Sequence, residues 1–479
     1  MSAKGNRLSG RLADGTGGVL YLGDSGPRLE IDRDHQDIRD VFNAPDHPDR
    51  LVMAISNTQV ATLTGVYRSR RQSNFSRSFE EYQANVTYLG PTELRPSDTI
   101  TRLHFSPTNE RLAVMYNGHR IHHSVDDENA PLSAIYAREK PGSRYFVDII
   151  DVENRRAFVA NRQGMTVSGD VNLTLKNNIL GQDIVERRIV TLSFDAPVNL
   201  SSAFSNMLSV CDFMSLMVGT VVSPVTVQIE TNEEPDRHGR SPSFEVYAHW
   251  REAGHEIDPQ RGRRCLAAPL FDRPGYESAL SAWMNRDTEW RSCHALGTVY
   301  LSHKDELSRR RFLDAEAWFE SLPTTFYERP RTRIAKDVIT AAAKAAAAAF
   351  REGKSNVSEG RARALLGPVN AASLNVRLED AMAHARNALG ADLLPMHLDQ
   401  LAAAIPKIRG KFAHGEDAFA SEVGHLIYDA TLLLAVLTST LTLQGLGIRL
   451  SADMSGHPLR TALRELRDYG THQDETQPT

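Results

Sequence analysis

The chain has 479 residues, of which 41% are hydrophobic and 24% charged, and it carries a formal net charge of −5. That length supplies cores for two or three domains, and that composition belongs to an ordinary soluble globular protein. The acidic balance argues against a sequence-indifferent nucleic-acid binder, which needs a basic surface, but it permits a nuclease that grips one local RNA element.

From the start to about residue 200 the sequence predicts strands and turns. Gly15, Gly17 and Gly18 precede a strand over 19–22, and further strands are predicted over 60–66, 84–89, 111–116 and 145–150. Over 167–175 the residues Val167, Gly169, Val171, Leu173 and Leu175 alternate as a half-buried strand should, and 188–194 reads the same way. Turn clusters such as Pro45-Asp46-His47-Pro48-Asp49 separate them. A helix over 201–218, capped by Ser201 or Ser202, interrupts the pattern before strands return over 221–230 and 244–250, joined by a polar loop at 232–240.

After about residue 275 strand signals nearly stop. Helices are predicted over 278–291, 305–322, 334–351, 374–389, 397–412 and 416–443, with Ser373 capping the fourth and Gly390 ending it. The alanine run 341–349 favours helix strongly and Gly353 closes it. Short loops predict an antiparallel bundle. The expected class is α+β: a β-rich domain over 1–275, which the family resemblance below makes a sensor or scaffold, an all-α bundle over 276–470, and a disordered tail over 471–479. The segment 431–447 is apolar, but Thr438, Thr440, Thr442 and Gln444 within it, and Asp429 before it, predict a buried helix rather than a membrane span.

Cys211, Cys265 and Cys293 have neither CxxC spacing nor histidines at zinc-site intervals, which predicts a reducing, cytoplasmic setting without a disulfide framework. The first residues lack the apolar core of a signal peptide. His119, His122 and His123 read as a metal set or as a hairpin turn entering a strand after Asn117-Gly118. His249 and His255 bracket a glutamate at the wrong spacing for the HExxH zinc helix. Arg68, Arg70, Arg71 and Arg77, interleaved with Tyr67, Phe75 and Phe79, read as a polar strand surface or an RNA-facing one, and Arg261, Arg263 and Arg264 are similar. No phosphate-binding loop or dinucleotide fingerprint is visible, and no cofactor or metal is expected.

The most informative stretch is Ile408-Arg409-Gly410-Lys411-Phe412-Ala413-His414-Gly415. Cutting RNA without a metal needs a group that moves protons near neutral pH, which histidine does, and a fixed cation for the phosphate, which the planar arginine fork supplies. Pro406 predicts a kink or a fresh helix start, and Gly410 weakens the helix by about 1 kcal/mol relative to alanine. Five residues along a helix is a rotation of roughly 140°, so Arg409 and His414 need not share a face within one copy. A site completed across a two-fold axis suits that geometry, as does an irregular helix end with an exposed arginine and a capping histidine. Lys411 reads as a solvated lysine or an RNA-backbone contact. Glu316 and Glu320, four apart on one face, would orient a motif residue, pair with an arginine or face solvent. The apolar stripe Phe419, Val423, Leu426, Ile427, Ala430, Leu433, Leu434, Leu437 and Leu441 is wider than one bundle contact requires, which predicts a homodimer or a higher even oligomer.

This motif resembles that of HEPN-domain ribonucleases, and the C-terminal region resembles the HEPN domain of ApeA-like proteins, a bacterial group linked to abortive defence against phage. The resemblance runs through 312–320, where the family has a helix with a glutamate, then Leu374-Asn375-Val376-Arg377-Leu378, and ends in the motif. The N-terminal half, from Leu8-Ser9-Gly10-Arg11-Leu12 through Leu103-His104-Phe105-Ser106, is similar to the family's partner domain in layout. After the motif arginine the family usually carries a polar residue, where this chain has Gly410. The resemblance implies a HEPN bundle and an endoribonuclease in which His414 is the acid/base and Arg409 the phosphate clamp. The ribose 2′-hydroxyl would attack its own phosphate, with transfer RNA as one candidate substrate and a phage-derived trigger acting through the N-terminal domain. The alternative is a HEPN-like bundle without catalysis, serving binding or dimerisation, with a ligand- or protein-sensing β domain.

Overall fold

A computed structural model describes residues 6–23, 26–34, 49–73, 77–114, 122–124, 144–146, 156–178, 181–233, 241–250, 273–286, 288–303, 307–353, 355, 357–366, 370–448, 450 and 458–467. The protein is α+β, and the chain divides into two units, Met1–Asn285 and Arg286–Thr479. The boundary falls later than the 275/276 expected from periodicity, because the first helix after the strands belongs to the first unit.

The strands of that unit are β1 (Asn6–Leu12), β2 (Gly17–Leu22), β3 (Arg28–Asp34), β4 (Arg50–Ser56), β5 (Gln59–Ser73), β6 (Arg77–Gly90), β7 (Ile100–Pro107), β8 (His122–Ser124), β9 (Arg144–Phe146), β10 (Arg156–Arg162), β11 (Met165–Asn178), β12 (Gly181–Val198), β13 (Pro224–Thr231) and β14 (Ser243–Ala248). Antiparallel pairing in the order β6-β3-β2-β1-β4-β5 returns to β6, because β5 pairs with β6 along its length, and this closes a six-stranded barrel. Strict alternation fills it: Leu20, Leu22, Leu29, Ile31, Met53, Leu63, Tyr82 and Ala84 point inward. Not every inward position is apolar. Glu80 is fully buried, accepts a hydrogen bond from the Tyr82 hydroxyl at 2.8 Å, and faces Arg33, Arg68 and Arg71 at 3.5, 3.7 and 3.6 Å. Beyond residue 85, β14 takes the place of β3 beside β6 while β5 stays paired on the other edge, and β14 leads through β13, β7, β12 and β11 to β10 in an open antiparallel sheet.

Helix α1 is a single turn (Glu110–Ala113) where a strand over 111–116 was expected, entered through Asn109 at φ 52. Helix α2 (Leu200–Val218) is capped by Asn199, whose side chain accepts from the Ser202 N–H at 2.8 Å, rather than by either serine. Helix α3 (Arg273–Met284) packs on α2 and β10. Trp283 Nε1 donates to the Ser209 carbonyl at 2.9 Å, and Glu277 accepts from the Val159 N–H at 2.8 Å. The helix predicted over 278–291 is therefore two, split between Asn285 and Thr288.

Gly169 explains its own presence in a strand. It stands opposite Phe158, and a Cβ there would lie 2.3 Å from the ring. Gly169→Ala is expected to destabilise the unit by about 1–3 kcal/mol through overpacking; an unchanged urea midpoint would show that the ring has room to yield.

The second unit contains α4 (Thr288–Ser302), α5 (Arg309–Glu320), α6 (Thr324–Tyr327), α7 (Lys336–Glu352), α8 (Glu359–Leu366), α9 (Leu374–Leu389), α10 (Leu398–Ala413), α11 (Ile427–Gln444) and α12 (Pro458–Arg467). At its centre is α11, packed against α5, α9, α10 and α12. Thr431 and Thr438 hydroxyls donate back to the Ile427 and Leu434 carbonyls at 2.6 and 2.8 Å, which satisfies these two within the helix, whereas the buried Thr440 hydroxyl has no hydrogen-bond partner. Gly424–Gln444 is long and apolar enough to cross a membrane, yet most of it is buried inside this unit. The helix predicted over 416–443 begins only at Ile427, after a turn at 414–423 and a 3-10 turn at Gly424–Leu426. As a result Phe419 leaves the stripe, and Ile427, Ala430, Leu433, Leu434, Leu437 and Leu441 are buried within the unit's own core. Those six side chains therefore offer no surface for a second copy, while Leu426 is half-buried.

Cys211 and Cys293 are buried thiols, while Cys265, His119, His255, Phe75, the arginines 261, 263 and 264, and the 471–479 tail lie outside the described residues. His122 and His123 lie on β8, paired with Phe146 and Tyr145.

Candidate active site

Helix α5 starts where Ser308 accepts a hydrogen bond from the Arg311 N–H at 3.2 Å. Its apolar face, Phe312, Ala315 and Phe319, also carries Glu316, so the carboxyl is buried by the helical repeat itself. Glu320 follows one turn later at the rim. Helix α10 buries Leu398, Leu401, Ala402, Ile405, Ile408 and Phe412, and Phe412 packs on Phe312 with ring centroids 5.5 Å apart. It runs unbroken through Pro406 rather than restarting there.

The motif histidine sits at the end of this helix for a backbone reason. Gly415 adopts φ 75, its N–H donates to the Phe412 carbonyl at 3.2 Å, and the Glu416 N–H donates to the Lys411 carbonyl at 3.0 Å. These paired bonds form a Schellman motif, in which only glycine takes the left-handed residue without strain. His414 is the C-cap: its N–H reaches the carbonyls of Gly410 and Phe412, and the residue is exposed.

Arg409 lies one turn back and is fully engaged. Its Nη1 and Nη2 donate to the two oxygens of Glu320 at 2.9 and 3.2 Å, a bidentate fork. Its Nε stands 2.8 Å from Glu316 Oε1, close enough for strong attraction, although that buried oxygen accepts no hydrogen bond. One guanidinium thus meets two carboxylates. Burial first, then the negative charge of Glu320, pushes the Glu316 carboxyl up to about 7, with Arg409 pulling the other way. Lys411 is paired with Glu422 at 3.4 Å and Glu416 at 3.5 Å. Desolvation, the largest single influence, lowers its pKa, but Glu422 and Glu416 together outweigh it and hold it above the ordinary lysine value. It reads as a solvated, ion-paired lysine.

No family model, curated protein or solved structure matches this chain.

The structure brings Arg409, Glu316 and Glu320 together and leaves His414 exposed at the C-cap of α10, five residues beyond Arg409. Two arginines that periodicity did not single out complete the surroundings. Arg377 Nη2 donates to the Glu320 carbonyl and to the Tyr327 hydroxyl, both at 3.0 Å, which ties down the end of α5. Arg309 Nη2 donates to the Phe412 carbonyl at 2.6 Å, with its guanidinium over the Phe412 ring at 5.6 Å. The only sequence trace of Arg309 is the run Arg309-Arg310-Arg311 after the Ser308 cap. Gly410 has open space where a Cβ would project, so packing does not require glycine there. Among the described residues no three His, Cys, Asp or Glu side chains converge as metal ligands.

Proposed function

We propose that the helical unit is a metal-independent endoribonuclease of the HEPN type, acting in abortive defence against phage. The β-rich unit would be its sensor or scaffold. One observation carries this reading: an exposed histidine is fixed at a rigid helix end, one turn from an arginine locked between a rim carboxylate and a buried one. His414 moves the proton of the ribose 2′-hydroxyl, which attacks the adjacent phosphate and leaves a cyclic phosphate and a 5′-hydroxyl. Arg409, Glu316 and Glu320 hold the end of α10 against α5 and so set where the histidine stands. A single exposed histidine supplies base or acid but not both at once, so two copies would pair around the motif. Leu307 at 62% and Phe419 at 41% exposure are the large apolar side chains available there. Single-stranded loops, as in transfer RNA, fit a site that needs flexible riboses for in-line attack, and the cytoplasm is where such an RNA and a phage trigger would meet.

The test is cleavage of transfer RNA and of unstructured RNA by the full chain in EDTA, with and without extract from phage-infected cells. Products ending in cyclic phosphate and 5′-hydroxyl are expected; intact RNA under both conditions sinks the proposal. One observation favours a second reading, a non-catalytic binding or dimerisation module. Both prongs of Arg409 are already taken by Glu320, which leaves that guanidinium poorly placed for a phosphate.

A further inference from the structure

If Arg409 is committed to carboxylates, a ribonuclease at this site needs another cation for the phosphate, and α5 offers one. Arg309 is the first residue of that helix, and its side chain reaches across to the end of α10. The carbonyl oxygen of Phe412 accepts from Arg309 Nη2 and also from the backbone N–H of His414. A shared acceptor holds the guanidinium within two hydrogen-bond lengths of the histidine backbone. The contact uses one of five N–H donors, so most of the fork remains to be satisfied. Among the described residues Arg309 meets no carboxylate, and the residue is exposed. The neighbouring cations differ: Arg409 faces Glu316 and Glu320, Arg310 faces Asp314, and Lys411 faces Glu416 and Glu422. Stacking on Phe412 and the carbonyl contact also fix the guanidinium in place before any ligand arrives, which lowers the entropy lost on binding.

We propose that Arg309, rather than Arg409, is the residue that meets the scissile phosphate beside His414. This rests on the ribonuclease reading of the same site and assigns Arg409 to positioning. It also commits the ligand to a phosphodiester, because an anchored arginine without a carboxylate partner selects an oxyanion with two acceptor oxygens.

The experiment uses the full chain as wild type, Arg309→Ala and Arg309→Lys. Cleavage is followed in EDTA, and binding of a single-stranded 2′-O-methyl RNA, which cannot undergo 2′-hydroxyl attack, is followed from low to moderate salt. Arg309→Ala is expected to lower the cleavage rate by about 10²–10³-fold and to flatten the slope of log affinity against log salt by about 0.7, the loss of one phosphate contact on a single strand. Arg309→Lys keeps the charge and is expected to restore the slope. Since Arg309 also caps α10, thermal melting is run on each variant. An alanine variant that melts earlier but keeps the wild-type slope, or a lysine variant that fails to restore it, assigns a structural role and overturns the proposal. The binding arm separates the two readings. Wild type that binds the 2′-O-methyl RNA without cutting RNA loses the nuclease reading, yet the slope of the alanine variant still decides Arg309. Wild type that binds no RNA at all overturns both.

Discussion

His414→Ala is expected to lower RNA cleavage by about 10²–10⁴-fold, the usual contribution of a positioned proton-transfer group, with the melting temperature essentially unchanged. The two halves of that expectation come from the same geometry. His414 contributes to the fold through its backbone: the N–H bonds to Gly410 and Phe412, at φ −85 and ψ 2, are as accessible to alanine as to histidine. Its side chain is exposed, so no cavity opens on truncation. A folded His414→Ala protein that cuts RNA at the wild-type rate, or still protects cells from phage, removes the histidine from the chemistry. The Arg409–Glu316–Glu320 cluster would then be a structural clasp.

Glu316→Gln is expected to remove one component of the pH dependence of stability between about 4.5 and 7. With its folded carboxyl near 7 and an ordinary value of 4.5, Glu316 holds a proton in the native state that the unfolded chain has already released between those values. The sign follows: the contribution is most favourable below about 4.5, is lost as pH rises through the window, and is fully lost above about 7. Each unit corresponds to about 1.4 kcal/mol. Discounted for partial solvent screening, the loss is on the order of 1–2 kcal/mol. Glutamine mimics the protonated form, so the variant should lose that downward component across the window and melt above wild type at pH 8. Parallel profiles for the two proteins would mean that Glu316 is ionised throughout, neutralised by Arg409. The double variant Arg409→Ala/Glu316→Gln adds a check. Removing Arg409 alone leaves two carboxylates facing each other, and the glutamine should recover part of that cost.

How much of this was legible before the fold depends on how local each determinant is. Helix α9 was readable to the residue, because Ser373, its apolar repeat and Gly390 all act within a turn of where they stand. Strand β3 escaped notice: Leu29 and Ile31 face the barrel, but Arg28, Glu30 and Asp32 give the segment the look of a charged loop. The overlong helix predicted over 416–443 failed because apolar spacing continues through the turn. The left-handed Gly415 and the Asp417 side chain, which accepts from the Phe419 and Ala420 N–H groups at 3.1 and 3.3 Å, end one helix well before Ile427 starts the next. At the site, Glu316 and Glu320 could be read as a pair on one face, and an arginine partner was one of the readings. That the partner is Arg409 is a tertiary fact, set by how α5 and α10 lie together. Arg309 and Phe412 are 103 residues apart, and no spacing rule connects them.

The dual pairing of β6 bears on how the first unit comes apart. One continuous backbone serves both the barrel, through β3 and β5, and the open sheet, through β14. Neither can melt while the other keeps its hydrogen bonds to that strand, so the two form one cooperative block, and amides near Thr87 should exchange only with global opening. A fragment cut after β7 would keep the barrel's strands but strip β14 from Val86–Leu89. The result is an unpaired apolar edge, which invites association between chains.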